Sequence, residues 1–290
     1  MRKRSKKTKE ADKSRSAGIS TSRWKRLFIR CVALCLILGG FGTAAYFGWQ
    51  AYTTQMEYEE GDAAYEDLAD LVKADEEPGE SPASSDAEAG GAEEDDDAEN
   101  ADAVHEVDLS AAQDVNSDIV AWLYCPDTVI DYPVCQGEDN SYYLMHLADG
   151  TYNRNGCLFI DCGNAGDFSD DNTVIYGHHM ASGKMFASLI KYADQSYYDA
   201  HPVMYLTVED QQYEVELFAG YVTTMDSSAY TLNCGTRHEF AKWLREVSGK
   251  SDFTPHQMTL GTEDRIVTFS TCAYNFQNAR YVVHGRLVEK

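Results

Sequence analysis

The sequence predicts a mainly β domain that follows a single membrane-spanning helix. Three features lead to this prediction: an uncharged apolar segment near the N-terminus, an acidic low-complexity segment after it, and a series of short β-type runs in the remaining part of the chain. The chain has 290 residues, of which 43% are hydrophobic. That is enough apolar material for one globular core once the N-terminal third is set aside.

The apolar segment runs from Cys31 to Trp49 without a charged residue. At a helical rise of about 1.5 Å per residue it is about 28 Å long, which matches the hydrocarbon core of a bilayer. Eleven Lys and Arg precede it within residues 1–26, against two acidic residues. Because positive flanks stay in the cytoplasm, we expect a basic cytoplasmic segment over 1–26, a transmembrane signal-anchor over 27–50, and the remaining chain outside the cell.

A cleaved secretion signal is the alternative, because a basic head before an apolar run is also typical of such signals. The run is long for a signal, however, and Tyr46, Phe47 and Trp49 stand near its end. Aromatic side chains at this point resemble the interfacial belt of a membrane-spanning helix. A retained anchor is therefore favoured.

An acidic segment follows the anchor. Residues 57–103 hold twenty Asp and Glu against one Lys, and few large apolar side chains that could offset the entropy of ordering the chain. We expect a disordered extracellular stalk within a linker over 51–104. A cation-binding or partner-binding role is the alternative, but a solvated spacer is favoured because no aromatic residues interleave the charges. The rest of the chain is also acidic, which argues against nucleic acid as a partner.

The folded domain is predicted over 105–290. Turn signals separate many of its β-type runs, which favours a barrel or sandwich over an alternating strand–helix sheet. These runs are 128–135, 156–162, 172–177, 202–208, 212–223, 265–271 and 280–288. Two helices are expected, a short one over 184–193 and a longer one over 237–248. The longer one carries an apolar stripe with helical spacing, formed by Phe240, Trp243, Leu244 and Val247.

Eight cysteines are present, of which Cys31 and Cys35 lie in the predicted span. The others are Cys125, Cys135, Cys157, Cys162, Cys234 and Cys272. An even number outside the cell is compatible with disulfides. Cys157 and Cys162, however, lie five positions apart in one predicted strand, so they face opposite sides and do not bridge each other. The spacing typical of a zinc site is missing from the sequence, so we predict no metal.

Three polar residues at strand ends point to chemistry. Cys272 ends a predicted strand and Arg280 opens the next, so adjacent antiparallel strands bring the thiol near the guanidinium. A thiol beside a fixed cation is easier to ionise and more nucleophilic. His178 follows another strand, and imidazole suits proton transfer near neutral pH. Its neighbour His179 is an equal candidate on these grounds.

A resemblance to a known family connects these residues. The histidine and cysteine–arginine signatures of the sortases, most closely class B, are similar to NTVIYGHHMASGKMFASLIKY and IVTFSTCAYNFQNARYVVHGRLV. Further blocks of that class resemble DTVIDYPVCQGEDNSYYLMH, GCLFIDCGN and YYDAHPVMYL, in the same order. The resemblance covers about residues 115–290.

The resemblance implies an eight-stranded β-barrel with peripheral helices, including N-terminal helices and one before the cysteine strand. It selects His178 over His179 as the catalytic histidine, Cys272 as the nucleophile and Arg280 as the third catalytic residue. It also places Asn140, Leu144 and Ser270 in the substrate groove. Class B often has an acidic residue directly after the catalytic cysteine, whereas this chain has Ala273, which affects fine substrate contacts rather than the mechanism.

The function implied is that of a cysteine transpeptidase without a cofactor. Its substrates would be secreted proteins with a C-terminal sorting signal, cleaved at a Thr–Gly type bond, and its acceptor an amine of a peptidoglycan precursor or a pilin Lys. Another wall-acting cysteine enzyme, such as an L,D-transpeptidase or an endopeptidase, is one alternative. A non-enzymatic membrane-tethered scaffold is the other, although it leaves the three polar residues at strand ends unexplained.

Overall fold

A computed structural model describes residues 4–73, 107–209 and 211–290. The chain falls into two compact units, Met1–Glu57 and Tyr58–Lys290. The described residues of the first unit belong to helix α1, Arg4–Val72. By length and composition, the part of this helix from Arg23 onward is able to cross a membrane, and its most apolar stretch has no buried residue. This part includes the signal-anchor predicted over 27–50.

The second unit is built on a closed eight-stranded barrel, which confirms the predicted fold class. Its strands follow one another around the barrel in the order β1-β2-β3-β4-β7-β8-β6-β5. The β2–β3 and β4–β7 pairs are parallel and the other pairs are antiparallel. The strands are β1 Ile119–Tyr124, β2 Asp131–Cys135, β3 Leu158–Ile160, β4 Asn172–Tyr176, β5 Val203–Val208, β6 Gln211–Thr224, β7 Ile266–Cys272 and β8 Ala279–Glu289.

Three further α-helices lie around the barrel: α2 Leu109–Val115, α3 Gln195–Ala200 and α4 Arg237–Ser248. Helix α4 has the predicted bounds, since a capping box between Thr236 and Glu239 satisfies its first N–H groups. Its apolar stripe is buried in a cluster with residues of β6 and β8. The helix predicted over 184–193 is instead a 3₁₀ helix, Phe186–Ala193.

The last turns of α1 lie within the predicted linker over 51–104. Helix α1 continues to Val72, and its segment 58–72 packs against the barrel core. The contacting residues recur every three or four positions, as one face of a helix requires: Tyr58, Gly61, Tyr65, Leu68 and Val72. Burial of this face stabilises a segment whose acidic residues remain on the outer side. The rest of the predicted linker, residues 74–104, lies outside the described residues.

The two ends of that acidic segment meet. Lys73 and Val107 form an antiparallel bridge, and the Asp108 N–H donates to the Val72 carbonyl oxygen at 2.8 Å. The described residues on either side of 74–106 are therefore hydrogen-bonded neighbours.

Candidate active site

Strand pairing brings the predicted site residues to one edge of the barrel. The β7–β8 register sets Cys272 directly opposite Arg280. Strand β4 runs parallel to β7, with Tyr176 opposite Ser270, and the Gly177 N–H donates to the Ser270 carbonyl oxygen at 3.1 Å. Since parallel strands end at the same edge of a sheet, His178 follows β4 at the edge where Cys272 ends β7.

A cleft of about 290 Å³ opens at this edge. All six site residues predicted from the sequence line it: His178, Cys272, Arg280, Asn140, Leu144 and Ser270. The cleft is also lined by Phe159, Tyr176, Gly177, Met225 and Thr271. Its lining combines an apolar wall with a thiol, an imidazole and a guanidinium. Such a cleft suits an extended peptide that presents one carbonyl group to polar side chains.

The partly exposed His178 ring is fixed by backbone atoms of two distant residues, Leu144 and Gly156. Its Nε2 lies 2.7 Å from the Leu144 carbonyl oxygen. A carbonyl oxygen only accepts, so Nε2 carries a proton and Nδ1 is the nitrogen left to exchange one. Gly156 packs beneath the ring with a φ of 60°, and a Cβ atom there would lie 2.9 Å from His178 Cδ2. A side chain at this position would therefore displace the ring.

His179 has a different task. Its Nδ1 lies 2.8 Å from the Cys272 carbonyl oxygen, to which it donates a hydrogen bond. Its ring also meets the Tyr274 ring edge-on, with 5.0 Å between centroids. His179 thus holds the backbone of the residue that carries the thiol, whereas His178 lines the cleft. The structure separates the two histidines that the sequence presents side by side.

Cys272 and Arg280 are both partly exposed at the end of their strands. The Arg280 Nη1 donates to the carbonyl oxygen of Ala279 at 3.1 Å, which ties one end of the guanidinium to the strand. Thr271, between Ser270 and Cys272, donates its hydroxyl to the Gly177 carbonyl oxygen at 2.9 Å. The bond from Thr271 to Gly177 couples the segment that carries the thiol to the segment that carries the histidine.

The predicted groove residues are themselves held in place. Asn140 donates to the Asp161 carboxylate at 2.9 Å and accepts from the Cys162 N–H at 2.8 Å, so both ends of its amide are occupied. The buried Ser270 hydroxyl lies 2.8 Å from the Tyr230 hydroxyl. Leu144 is 37% exposed and offers an apolar surface in the cleft. Asn140 and Ser270 therefore shape the cleft walls in this state.

Sequence reasoning missed the two tyrosines behind these residues. Tyr176 donates its hydroxyl to the Asp161 carboxylate at 2.8 Å, and its ring stacks on that of Tyr230 with 6.1 Å between centroids. Burial raises the pKa of both phenols above the ordinary value, so both hydroxyls remain protonated donors. Tyr176 could have been found, because it directly precedes Gly177 and His178. Tyr230 offers no comparable sequence signal.

Comparisons with known proteins agree with this geometry. The family model described as the sortase domain matches residues 123–288. The chain belongs to the sortase family. Sortase B of Listeria monocytogenes is 40% identical over 185 residues, which are 63% of this chain and 75% of that protein. The relationship places the chain in class B.

Two solved sortase structures support the same placement. Sortase B from B. anthracis has a TM-score of 0.65 at 29% identity and covers 81% of this chain and 99% of its own. The Staphylococcus aureus sortase B–substrate complex has a TM-score of 0.59 at 28% identity and covers 62% of this chain and 84% of its own. The chain is therefore a cysteine transpeptidase of the sortase B type, and the scaffold alternative no longer applies.

Proposed function

We propose that this sortase cleaves a C-terminal sorting signal of secreted proteins at a Thr–Gly type bond. It then transfers the acyl group to an amine of a peptidoglycan precursor or of a pilin Lys. The observation that supports this most directly is the common cleft of His178, Cys272 and Arg280. A thiol, a proton-transfer group and a fixed cation are the groups that acyl transfer requires.

In the proposed first step, the Cys272 thiolate attacks the Thr carbonyl carbon. The carbonyl oxygen becomes an oxyanion, and Arg280 stabilises it while orienting the peptide. His178 donates a proton to the departing amine as the C–N bond breaks. The product is a thioester between Cys272 and the Thr carbonyl group.

In the second step the acceptor amine attacks the thioester. His178, now neutral, removes a proton from the amine, and the C–S bond breaks to return the Cys272 thiolate. The new amide joins the secreted protein to its acceptor. The fixed positions of the Leu144 carbonyl and of Gly156 around the ring keep His178 available for both transfers.

We further propose that α1 anchors the chain in the cell membrane with its N-terminus in the cytoplasm. The support is the apolar stretch of the helix and the eleven Lys and Arg within residues 1–26. In this orientation the barrel faces the cell exterior, where sorting signals and wall amines are found.

A trapping experiment tests the reaction. The full chain is incubated with a library of sorting pentapeptides, and mass spectrometry identifies the residue that carries the acyl group. We expect a thioester on Cys272 and its loss in Cys272→Ala. The matched control is Cys162→Ala, which removes an exposed thiol outside the catalytic group and should leave trapping unchanged. Acylation by wall stem peptides but by no sorting peptide would instead support an L,D-transpeptidase.

A further inference from the structure

Two buried thiols outside the catalytic group lie in contact. Cys135 ends β2 and Cys157 directly precedes β3, and their Sγ atoms are 3.6 Å apart. The side chains are 0% and 1% exposed. The β2–β3 register, with Cys135 opposite Phe159, keeps the two segments adjacent. Neither thiol has a part in the proposed transfer reaction.

We propose that Cys135 and Cys157 form a structural disulfide bond. This proposal rests on the outward-facing orientation proposed above, because disulfides persist outside the cell. Sulfur atoms in a disulfide are about 2.05 Å apart, so the two Sγ atoms approach by about 1.5 Å. Cys135 is the last residue of β2 and Cys157 directly precedes β3, so this approach requires a small backbone movement at the ends of the two strands.

The position of the bond gives it a consequence for the site. The two cysteines bracket residues 136–156, the segment that carries Asn140 and Leu144 along the cleft. The Leu144 carbonyl oxygen accepts from His178, and the Cys157 N–H donates to the Tyr143 carbonyl oxygen at 2.8 Å. A bond between Cys135 and Cys157 therefore closes a covalent loop whose middle is the cleft wall.

A low-molecular-weight disulfide is the oxidant, and it accepts the electrons that the two thiols lose. One cysteine thiolate attacks this oxidant and expels its first thiol, which leaves a mixed disulfide on the protein. The second cysteine thiolate then attacks the protein-bound sulfur and expels the second thiol. Overall, two protein thiols lose two electrons and two protons to form one S–S bond, and the oxidant becomes two thiols.

Burial determines when this step takes place. It raises the pKa of the Cys135 thiol well above its ordinary value, so little thiolate is present in the folded barrel. Tyr65 of α1 closes the same region, since its hydroxyl donates to the Gly156 carbonyl oxygen at 2.5 Å. The bond therefore forms while the chain folds, before these side chains are buried, and is then shielded from reduction.

The experiment refolds the full chain from denaturant in detergent micelles, once with oxidised and once with reduced glutathione. Free thiols are then alkylated, and proteolytic peptides are analysed by mass spectrometry without reduction. We expect the oxidised sample to contain a cross-linked peptide that joins Cys135 to Cys157. Its unfolding midpoint should exceed that of the reduced sample by about 5 °C. Hydrogen exchange across residues 136–156 should also be slower.

Controls separate this pair from the other thiols. The cross-linked peptide, the higher unfolding midpoint and the slower hydrogen exchange should all vanish in Cys135→Ala and persist in Cys272→Ala, which removes the thiol of the catalytic group. Alkylation of both Cys135 and Cys157 after refolding in oxidised glutathione would overturn the proposal, as would their bonding to Cys125, Cys162 or Cys234. These readouts do not depend on peptide turnover, so a failure of the proposed transfer reaction would be recognised separately.

Discussion

At the scale of single residues, Arg280 is proposed to stabilise the oxyanion. A planar guanidinium offers several donors in fixed directions, whereas the ammonium of Lys is a compact charge. One Arg280 N–H is already used by the Ala279 carbonyl oxygen, which orients the remaining ones. We therefore expect Arg280→Lys to lower kcat/KM nearly as much as Arg280→Ala, by about a hundredfold or more.

Measurement of both variants with one sorting peptide decides the role of Arg280. A Lys variant within a few-fold of the parent would show that Arg280 acts through its charge alone. The unfolding midpoints serve as the control, because the guanidinium is partly exposed and its loss should not unfold the barrel. A large drop in the midpoint would attribute the lost activity to folding.

The two adjacent histidines give a second prediction. His178→Ala removes the group proposed to transfer protons, and we expect kcat to fall at least a hundredfold. His179→Ala removes one hydrogen bond to the Cys272 carbonyl oxygen, a loss of about 1 kcal/mol, so kcat should fall tenfold or less. The dependence of rate on pH should be unchanged in His179→Ala. An inactive His179→Ala beside an active His178→Ala would reverse the assignment.

Sequence reasoning reached these residues because their positions depend on strand order and strand ends. The closeness of Cys272 and Arg280 follows from two antiparallel strands joined by a short loop, and the register confirms it. The closeness of His178 depends on the parallel β4–β7 pairing, which no local pattern encodes. Only the family resemblance predicted it. Contacts from distant segments, such as Tyr230 with Ser270, remained hidden for the same reason.

At the scale of elements, α1 supports His178, the proposed proton-transfer residue, through Gly156. The Tyr65 hydroxyl bonds the Gly156 carbonyl oxygen, and Gly156 lies under the His178 ring with a φ of 60°. We expect Gly156→Ala to lower kcat at least tenfold, because the added Cβ would lie 2.7 Å and 2.8 Å from the Tyr143 and Leu144 carbonyl oxygens and would displace the ring.

Gly183 provides a matched control. Its φ is 84°, and an added Cβ atom would have no heavy atom within 4 Å. Gly183→Ala thus introduces comparable backbone strain without the contact. We expect a similar loss of stability from that strain but nearly unchanged kcat. Equal loss of activity in the two variants, measured at a temperature where both are folded, would rule out the contact with His178 as the cause.

Strand β1 and the packed part of α1 are among the elements missed in the sequence, and they were missed for different reasons. Strand β1 is the nearly continuous apolar run IVAWLY, whose lack of alternation does not distinguish a strand from a buried helix. In the packed part of α1, residues from Tyr58 to Val72 recur on one helical face every three or four positions, but the surrounding acidic residues dominated the composition of the segment. A count of helical spacing would have found it. The bounds of α4 were predictable because its cap and its stripe are both local.

At the scale of the whole molecule, the buried His284 couples stability to pH. Thr268 donates its hydroxyl to Asn172, so it accepts from His284 Nδ1 at 2.7 Å, and the Tyr221 hydroxyl donates to Nε2 at 3.1 Å. The imidazole is therefore neutral. Burial, and then the Lys250 charge, lower its pKa from 6.5 to about 3.

The sign of the pH effect follows from this shift. Above pH 6.5 His284 is neutral whether the chain is folded or unfolded, so its contribution to stability is complete. As the pH falls from 6.5 toward 3, the unfolded chain binds a proton that the folded chain does not, and the free energy of unfolding decreases by up to about 1.4 kcal/mol per pH unit. Urea unfolding at pH 7.5, 6 and 5 should show this decrease, and His284→Gln should flatten it. If the free energy of unfolding fell with pH as steeply in the variant as in the parent, His284 would be excluded as the source of the pH dependence.

Cleavage within residues 74–106 would test whether the packed residues of α1 hold the barrel to the proposed membrane anchor. Residues 74–106 are rich in Asp, Glu and Ala and contain few large apolar side chains, a composition that proteases cut readily. In the proposed orientation, a Glu-specific protease added to intact cells should cut there. The barrel then remains attached to the anchor through the packed residues of α1, since Tyr65, Leu68 and Val72 are at most 7% exposed and each contributes about 1.5–3 kcal/mol.

Cleavage should therefore precede release. On denaturing gels the chain should separate into two fragments, while under native conditions the barrel fragment should stay longer in the membrane fraction. Leu68→Ala should shorten this interval, because it removes part of the buried face without changing the cleaved segment. If the barrel fragment left the membrane fraction as soon as the chain was cut, in the parent and in Leu68→Ala alike, the α1 contacts would not hold the barrel. Protection until the cells are lysed would instead refute the outward orientation.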